Sequence, residues 1–256
     1  MARVEDIMTI MQEFASEHLI MPEYNDNVGL LIGDINESVK NIYCCLDLTN
    51  DDIDKAIDLK VQMIICHHPI IYTPIKSITS KTVLGRKIIK LIKNNIAVYA
   101  AHTNLDFVEG GLNEYAAKLL GLKNLIPLNP YISKNAGIGR MGQLENHITL
   151  KELANIVLNK FNDKRVDFVG DEHKQIKTVA IINGGGGNLE GLNLAIKMGA
   201  DCFISGDIKH STKIYAKDLG FPLIEASHFH TESIYIPQLA KILMQKTKGL
   251  NIVIHH

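Results

Sequence analysis

The chain predicts an α/β protein made of two related α/β domains from an internal duplication, with mixed sheets flanked by helices. Three observations lead there. Apolar runs of strand length at residues 41–48, 61–66 and 96–101 alternate with amphipathic helical segments, and strand–helix–strand order implies parallel neighbours. The run 61–66, VQMIIC, is almost wholly apolar, the pattern of a strand covered on both faces. Residues 176–207 can also be laid over residues 39–68. Each copy gives a strand, a turn, a helix containing Ala-Ile (Ala56-Ile57 and Ala195-Ile196) and a second apolar strand.

Ile7, Met8, Met11, Phe14 and Leu19 share one helical face, so the chain opens with an amphipathic helix. Residues 24–34, YNDNVGLLIGD, form a polar turn running into a short strand bounded by Gly29 and Gly33. The strand over 41–48 ends near Asp47. Thr49 or Asn50 then caps a helix whose first turn carries Asp51 and Asp52, where carboxylates suit the positive end of the helix. Ala56, Ile57 and Leu59 give this helix its apolar side. A helix over 82–93, a strand over 96–101, a loop from His102 through Gly110-Gly111 and a helix over 112–120 follow. Pro127, Asn129, Pro130 and Gly137 change the character of residues 126–138, which read as a domain boundary or a long connection. The domains are therefore expected at 1–125 together with 226–256, and at 126–225. Beyond the connection lie a helix over 150–161, a short strand over 166–169, the recurrent unit, a strand over 222–226 and a C-terminal helix interrupted or restarted at Pro237. The glycines 184–187 lack the GxxxxGK[ST] phosphate-loop pattern and read as a tight connection.

Composition narrows the function. With 27 basic and 28 acidic residues the net charge is -1, which leaves no electrostatic footprint for nucleic acid or an acidic membrane surface. Cys44, Cys45, Cys66 and Cys202 show no CxxC spacing, and three lie in apolar runs, so they read as buried free thiols of a reducing cytosol. The N-terminus alternates charge with apolar residues and is no signal peptide, and no apolar run approaches the roughly 18 residues that span a bilayer. A cytoplasmic protein is expected.

The chemistry sits at strand tips. The run 61–66 stops at His67-His68-Pro69. Neighbouring residues of a regular strand face opposite ways, so two adjacent imidazoles serve one site only where the strand is ending; Pro69 ends it. The plainer reading is a polar strand end beside a loop. Two further tips carry the same residue types, His102 with Asp106 and His228 with Glu232, with His230 between the latter pair. In a parallel sheet the carboxyl ends of the strands converge on one edge, which links residues far apart in sequence. His228 and Glu232 face one way if a helix has begun by Phe229; if the segment is extended, His228, His230 and Glu232 line up instead. Asp106 is the better ligand of its pair, because imidazole-rich metal positions need anionic charge. His102 reads as supporting a ligand or orienting substrate, or as a structural histidine. Nitrogen and carboxylate donors without thiolate suit zinc, iron or manganese. A pair of such ions would share a bridging carboxylate, which Glu232 could supply, and a water molecule of lowered pKa. Asp207, Lys209 and His210 could contact substrate or cap a helix.

Taken in order and spacing, DNVGLLIGD (26–34), HHP (67–69), AHTNLD (101–106), SGDIKH (205–210) and SHFHTE (227–232) resemble the motifs of the Nif-three-like proteins, also named type 2 GTP cyclohydrolase I, over essentially the full length. The resemblance implies a two-domain α/β protein with a dinuclear metal site in the first domain, formed by both ends of the chain, and a ring-shaped homohexamer. Carried across, His68 and Asp106 would bind one divalent ion, His67 and His228 the other, and Glu232 would bridge them. Glu232 and His102 are the candidate catalytic residues. The implied activity is hydrolytic, with water attacking the guanine imidazole ring of GTP and formate released, or a related reaction on another nucleotide-like small molecule. The alternative is a metal-binding oligomeric scaffold without catalysis. Leu31 stands where the family usually has glutamine, so no polar role transfers there. The chain is too short for the domain that many relatives insert between the halves, and functions tied to that insert do not transfer.

Overall fold

The computed structural model describes residues 2–247 and 249–255. It is an α/β fold with helices flanking mixed sheets, as expected, and it divides into two compact units: Met1–Leu105 with Ile236–His256, and Asp106–Tyr235. The limits expected from the sequence, after residues 125 and 225, both fall inside the second unit. Helix Leu112–Leu119 packs on the strands of that unit, and Ala116, Ala117 and Leu120 join its core with Ala226.

The first unit holds a five-stranded sheet in the order Asn251–Ile254, Asn41–Cys45, Met63–Cys66, Ala97–Ala100, Gly29–Ile32. The first four strands are parallel and the last is antiparallel. Helices Asn50–Asp58 and Val83–Lys93 make the crossovers. Of the two candidate caps, Thr49 is the one used. Its side chain accepts from the Asp52 amide, and the Asp52 carboxylate accepts from the Thr49 amide at 2.9 Å, so two otherwise orphaned donors are satisfied. Every residue of Met63–Cys66 and Ala97–Ala100 is buried, because helices cover the sheet on both sides. Tyr43, Ile53, Ile64, Ile88, Leu91 and Val98 form one core cluster, and each such side chain contributes about 1.5–3 kcal/mol by leaving water. All four cysteines are buried and free, and burial raises the Cys66 thiol to about 12, so these are inert packing groups. The strand Asn251–Ile254 is not evident from the sequence, since a run of three apolar residues does not reveal a parallel partner 210 positions earlier. His255, which follows it, is part of the fold: its ring lies 2.6 Å from the buried carboxylate of Asp52.

The second unit holds a six-stranded sheet in the order Asp167–Val169, Leu223–Glu225, Cys202–Ser205, Gln175–Ile182, Arg140–Thr149, Lys123–Ile126. Only the middle trio, Leu223–Glu225, Cys202–Ser205 and Gln175–Ile182, is parallel. Residues 126–138 are not a bare connection. Asn129–Tyr131 and Ser133–Ile138 pair as an antiparallel ribbon, and Arg140–Thr149 enters the sheet. Pro130 sits in this two-stranded ribbon, where a missing donor costs least. The internal repeat runs further than residues 39–68 and 176–207 indicated. In each unit three consecutive parallel strands are joined by two helices, and the third strand leads into a short helix: Thr103–Phe107 in one case, His228–Ser233 in the other. Among the described residues no helix is long and apolar enough to cross a membrane.

Candidate metal centre

In the first unit the ladder continues one step past the strand Met63–Cys66. The His67 amide donates to Cys45 O and the His68 amide to Leu46 O, before Pro69 stops it. The strand end turns both rings into one place, where they meet His102 from the tip of the adjacent strand. One donor atom from each of His67, His68 and His102 lies within 4.8 Å of the other two. Ring centroids stand 5.1 Å apart for His67 with either neighbour and 5.6 Å for His68 with His102.

Each ring is held from behind through Nδ1. His67 Nδ1 lies 2.8 Å from Ala101 O, His68 Nδ1 2.8 Å from Asp47 Oδ1, and His102 Nδ1 2.8 Å from Asp26 Oδ2. Carbonyl and carboxylate oxygens only accept, so the proton sits on Nδ1 and the lone pair on Nε2. A histidine that ligates a cation through Nε2 is oriented in this way.

Asp26 does more than hold His102. It accepts from the Thr103 amide at 3.1 Å and the Thr103 hydroxyl at 2.7 Å, and so caps the short helix Thr103–Phe107. This explains why 103–107 is helical rather than the expected loop; Asn104 also turns its amide to Ala15 O, away from its own backbone. Burial of the Asp26 carboxyl favours the neutral form, but hydrogen bonds from His102 and then Thr103 outweigh it and lower its pKa to about 2. A carboxylate held below its unfolded value stabilises the fold above about pH 4 and loses that contribution as pH falls toward 2. Asp26→Asn is expected to remove roughly 2 kcal/mol at neutral pH and to flatten the stability profile between pH 4 and 2, measured by urea unfolding at each pH.

In the second unit Ser227 caps helix His228–Ser233 by accepting from the His230 amide. The helix therefore begins at His228, which places His228 and Glu232 one turn apart on one face, and His228 Nε2 lies 3.0 Å from Glu232 Oε2. His228 Nδ1 is held by Asp207 Oδ2 at 2.6 Å. Hydrogen bonding to Glu232 and, after it, to Asp207 raises the imidazole to about 9, against the burial that lowers it. Asp207 adopts φ +44, a left-handed conformation that aspartate tolerates better than most residues and that sets its carboxylate behind the ring. Gly184 completes this group. It has φ +59, its amide donates to Thr231 Oγ1, and a Cβ there would overlap Glu232 Oε1 and sit 3.1 Å from His228 Nε2. The glycine run is thus more than a flexible link: its first member makes room for a carboxylate and an imidazole.

Within the first unit His67, His68 and His102 gather, and within the second His228 stands with Glu232. Asp106 opens the second unit, its carbonyl accepting from Asn113 Nδ2. His230 is engaged elsewhere, its Nδ1 lying 2.7 Å from Ser227 Oγ and 3.2 Å from Asp163 Oδ1. Lys209 and His210 are exposed and begin helix His210–Leu219, so they read as helix-start residues. Leu31 packs against the first core. Asp26 and Asp47 as orienting carboxylates escaped the sequence reading, as did that role for Asp207. Asp26 and Asp207 lie in the motifs already singled out and Asp47 at the end of the strand over 41–48, but their partners stand 76, 21 and 21 positions away.

Imidazole and carboxylate donors, free of thiolate, with ring protons fixed on the far nitrogen and a glycine cradle at Glu232, fit a divalent cation such as zinc, iron or manganese. A protein-family model described as Duf34/NIF3 (NGG1p interacting factor 3) matches residues 2–256. A protein of Clostridium acetobutylicum named GTP cyclohydrolase 1 type 2 homolog is 42% identical over 232 residues, covering 90% of this chain and 85% of that protein. Among solved structures, Staphylococcus aureus hypothetical protein SA1388 superposes with a TM-score of 0.90 at 29% identity, covering 99% of this chain and 96% of its own. Reduced HcgD from Methanocaldococcus jannaschii does so with a TM-score of 0.85 at 28% identity, covering 99% and 97%.

Proposed function

The chain belongs to the Duf34/NIF3 family, and on that premise we propose that it is a dinuclear-metal-dependent hydrolase acting on a nucleotide or a related phosphorylated small molecule, with GTP the first candidate. The observation that carries the reading is the shared posture of four imidazoles. His67, His68, His102 and His228 each commit Nδ1 to an oxygen acceptor, which turns Nε2 the other way, in His228 onto the Glu232 carboxylate, and a mere strand end has no need of that. The proposed ligands are His67, His68, Asp106, His228 and Glu232.

Two divalent ions bound by this set would lower the pKa of water and so supply a nucleophile at neutral pH. The residues of the chain do the rest. Glu232 brings the anionic charge that imidazole-rich positions require. Asp47 and Asp207 fix the rings of His68 and His228. His102, pinned by Asp26, presents Nε2 as an acceptor that can hold a proton of the substrate or of the attacking water. The names of the relatives support GTP as the first substrate to test; release of formate is the reaction proposed and a homohexamer the assembly proposed, the latter to be read by light scattering.

The test is elemental analysis of tag-free protein together with turnover. Two metal equivalents per chain and formate release from GTP are expected, and Glu232→Gln should cut turnover at least about a hundredfold while the unfolding midpoint moves little. Two bound ions with no turnover of GTP or of a nucleotide panel would instead favour a metal-binding scaffold, in which Glu232→Gln lowers metal content and thermal stability.

A further inference from the structure

Past Pro69 the chain leaves the sheet as an exposed segment, residues 72–82, that begins with an aromatic ring. The root of this segment is fixed. Ile70 and Ile71 pack against the core of the first unit, and the side-chain amide of Asn27 donates to Ile71 O. Tyr72 follows directly. Its ring stands perpendicular to the imidazole of His102, at 84° with centroids 6.3 Å apart, while 55% of the residue is open to solvent.

An aromatic ring that buries less than half of its surface contributes little to a core, yet this one is placed as though its position mattered. Asn27 holds the backbone at Tyr72, and the residue before it, Asp26, holds the ring of His102 and the helix that follows. Two consecutive side chains of the polar turn thus fix an imidazole and the root of an open aromatic beside it. A phenol ring of this kind offers a π-face for stacking at low conformational cost, which is how proteins receive planar bases.

We propose that Tyr72 is a specificity-determining residue: the platform on which a planar nitrogen heteroaromatic ring of the substrate, such as a purine, stacks beside His102. This rests on the reading of the site as one for nucleotide-like substrates and names the part of the substrate that would be recognised by its ring.

The chain contains no tryptophan, so Tyr72→Trp gives a single tryptophan at the proposed platform, excited selectively over the remaining tyrosines. Metal-loaded Tyr72→Trp protein is titrated with GTP and ATP, and with tripolyphosphate as a probe that has charge but no ring. Saturable quenching by the nucleotides and none by tripolyphosphate is expected. By calorimetry Tyr72→Ala should weaken nucleotide binding about tenfold, with tripolyphosphate binding and metal content unchanged and Tyr72→Phe close to the parent. In turnover the alanine variant should raise KM and leave kcat nearly unmoved. Quenching without any turnover would leave the platform standing and remove the hydrolase reading. Turnover whose KM is unmoved in Tyr72→Ala would do the reverse. The platform is also overturned if no nucleotide quenches, if tripolyphosphate quenches equally, or if Tyr72→Ala changes particle size rather than ligand binding.

Discussion

Alanine at position 184 is expected to cost about two orders of magnitude in the proposed turnover and a share of the proposed metal, with only a modest loss of stability. The backbone there has φ +59, which alanine adopts at a cost of about 1–2 kcal/mol. The larger effect is steric. The new methyl group would overlap Glu232 Oε1 and lie 2.8 Å from Glu232 Cδ, and the carboxylate is buried with little room to step aside. Because it also sits 3.0 Å from His228 Nε2, any shift spoils the pair together. Displacement of a positioned group by about 1 Å is enough for a hundredfold loss in rate. Elemental analysis, turnover and thermal unfolding of Gly184→Ala, run side by side, separate the two costs. A variant that keeps full metal content and rate would show that Glu232 has no role requiring its present position.

The contrast between Gly184 and Glu232 shows what a sequence makes legible and what it does not. Strands 41–45, 63–66 and 97–100, their crossover helices and the repeat were visible because they rest on local periodicity, and the candidate ligands were visible because metal-type side chains stood at strand ends. The i, i+4 pairing of His228 with Glu232 needed only the choice between helix and extended chain, and the Ser227 cap decides it. By contrast, the roles of Gly184, Asp26, Asp47 and Asp207 depend on partners 48, 76, 21 and 21 residues away, across strands whose register no local pattern fixes. The strands within 126–149 were obscured for another reason. Their prolines, asparagines and glycines carry the composition of a loop, and only pairing along a ribbon makes them ordered structure. Turn chemistry and edge-strand chemistry use the same residues.

Arg140 is the other such position, and its replacement by methionine should be the most damaging single change to the second unit. The side chain is 1% exposed, and its guanidinium donates to the carbonyls of Gly137, Gly139, Phe107, Val108 and Asn135, with Glu114 3.5 Å away. Five carbonyls from two stretches of chain, 107–108 and 135–139, are thus satisfied by one planar group, and the two residues after Asp106 are among them. Methionine fills similar volume but leaves the five carbonyls without their donor in a dry interior, at a cost of about 3–5 kcal/mol, while Glu114 keeps Lys118 and the Gly110 amide. For a chain of this size that corresponds to a fall in unfolding midpoint of roughly 10 °C, read by calorimetry or circular dichroism. Lysine should recover only part of the loss, since a point-like ammonium cannot reach five acceptors spread around a plane. If Arg140→Lys matched the parent, charge near Glu114 rather than the fork of donors would be the stabilising element. Since Phe107 and Val108 are anchored by the same guanidinium, the methionine variant should also lose the proposed metal at temperatures where it is still folded. A purely structural arginine elsewhere in the unit would not produce that result.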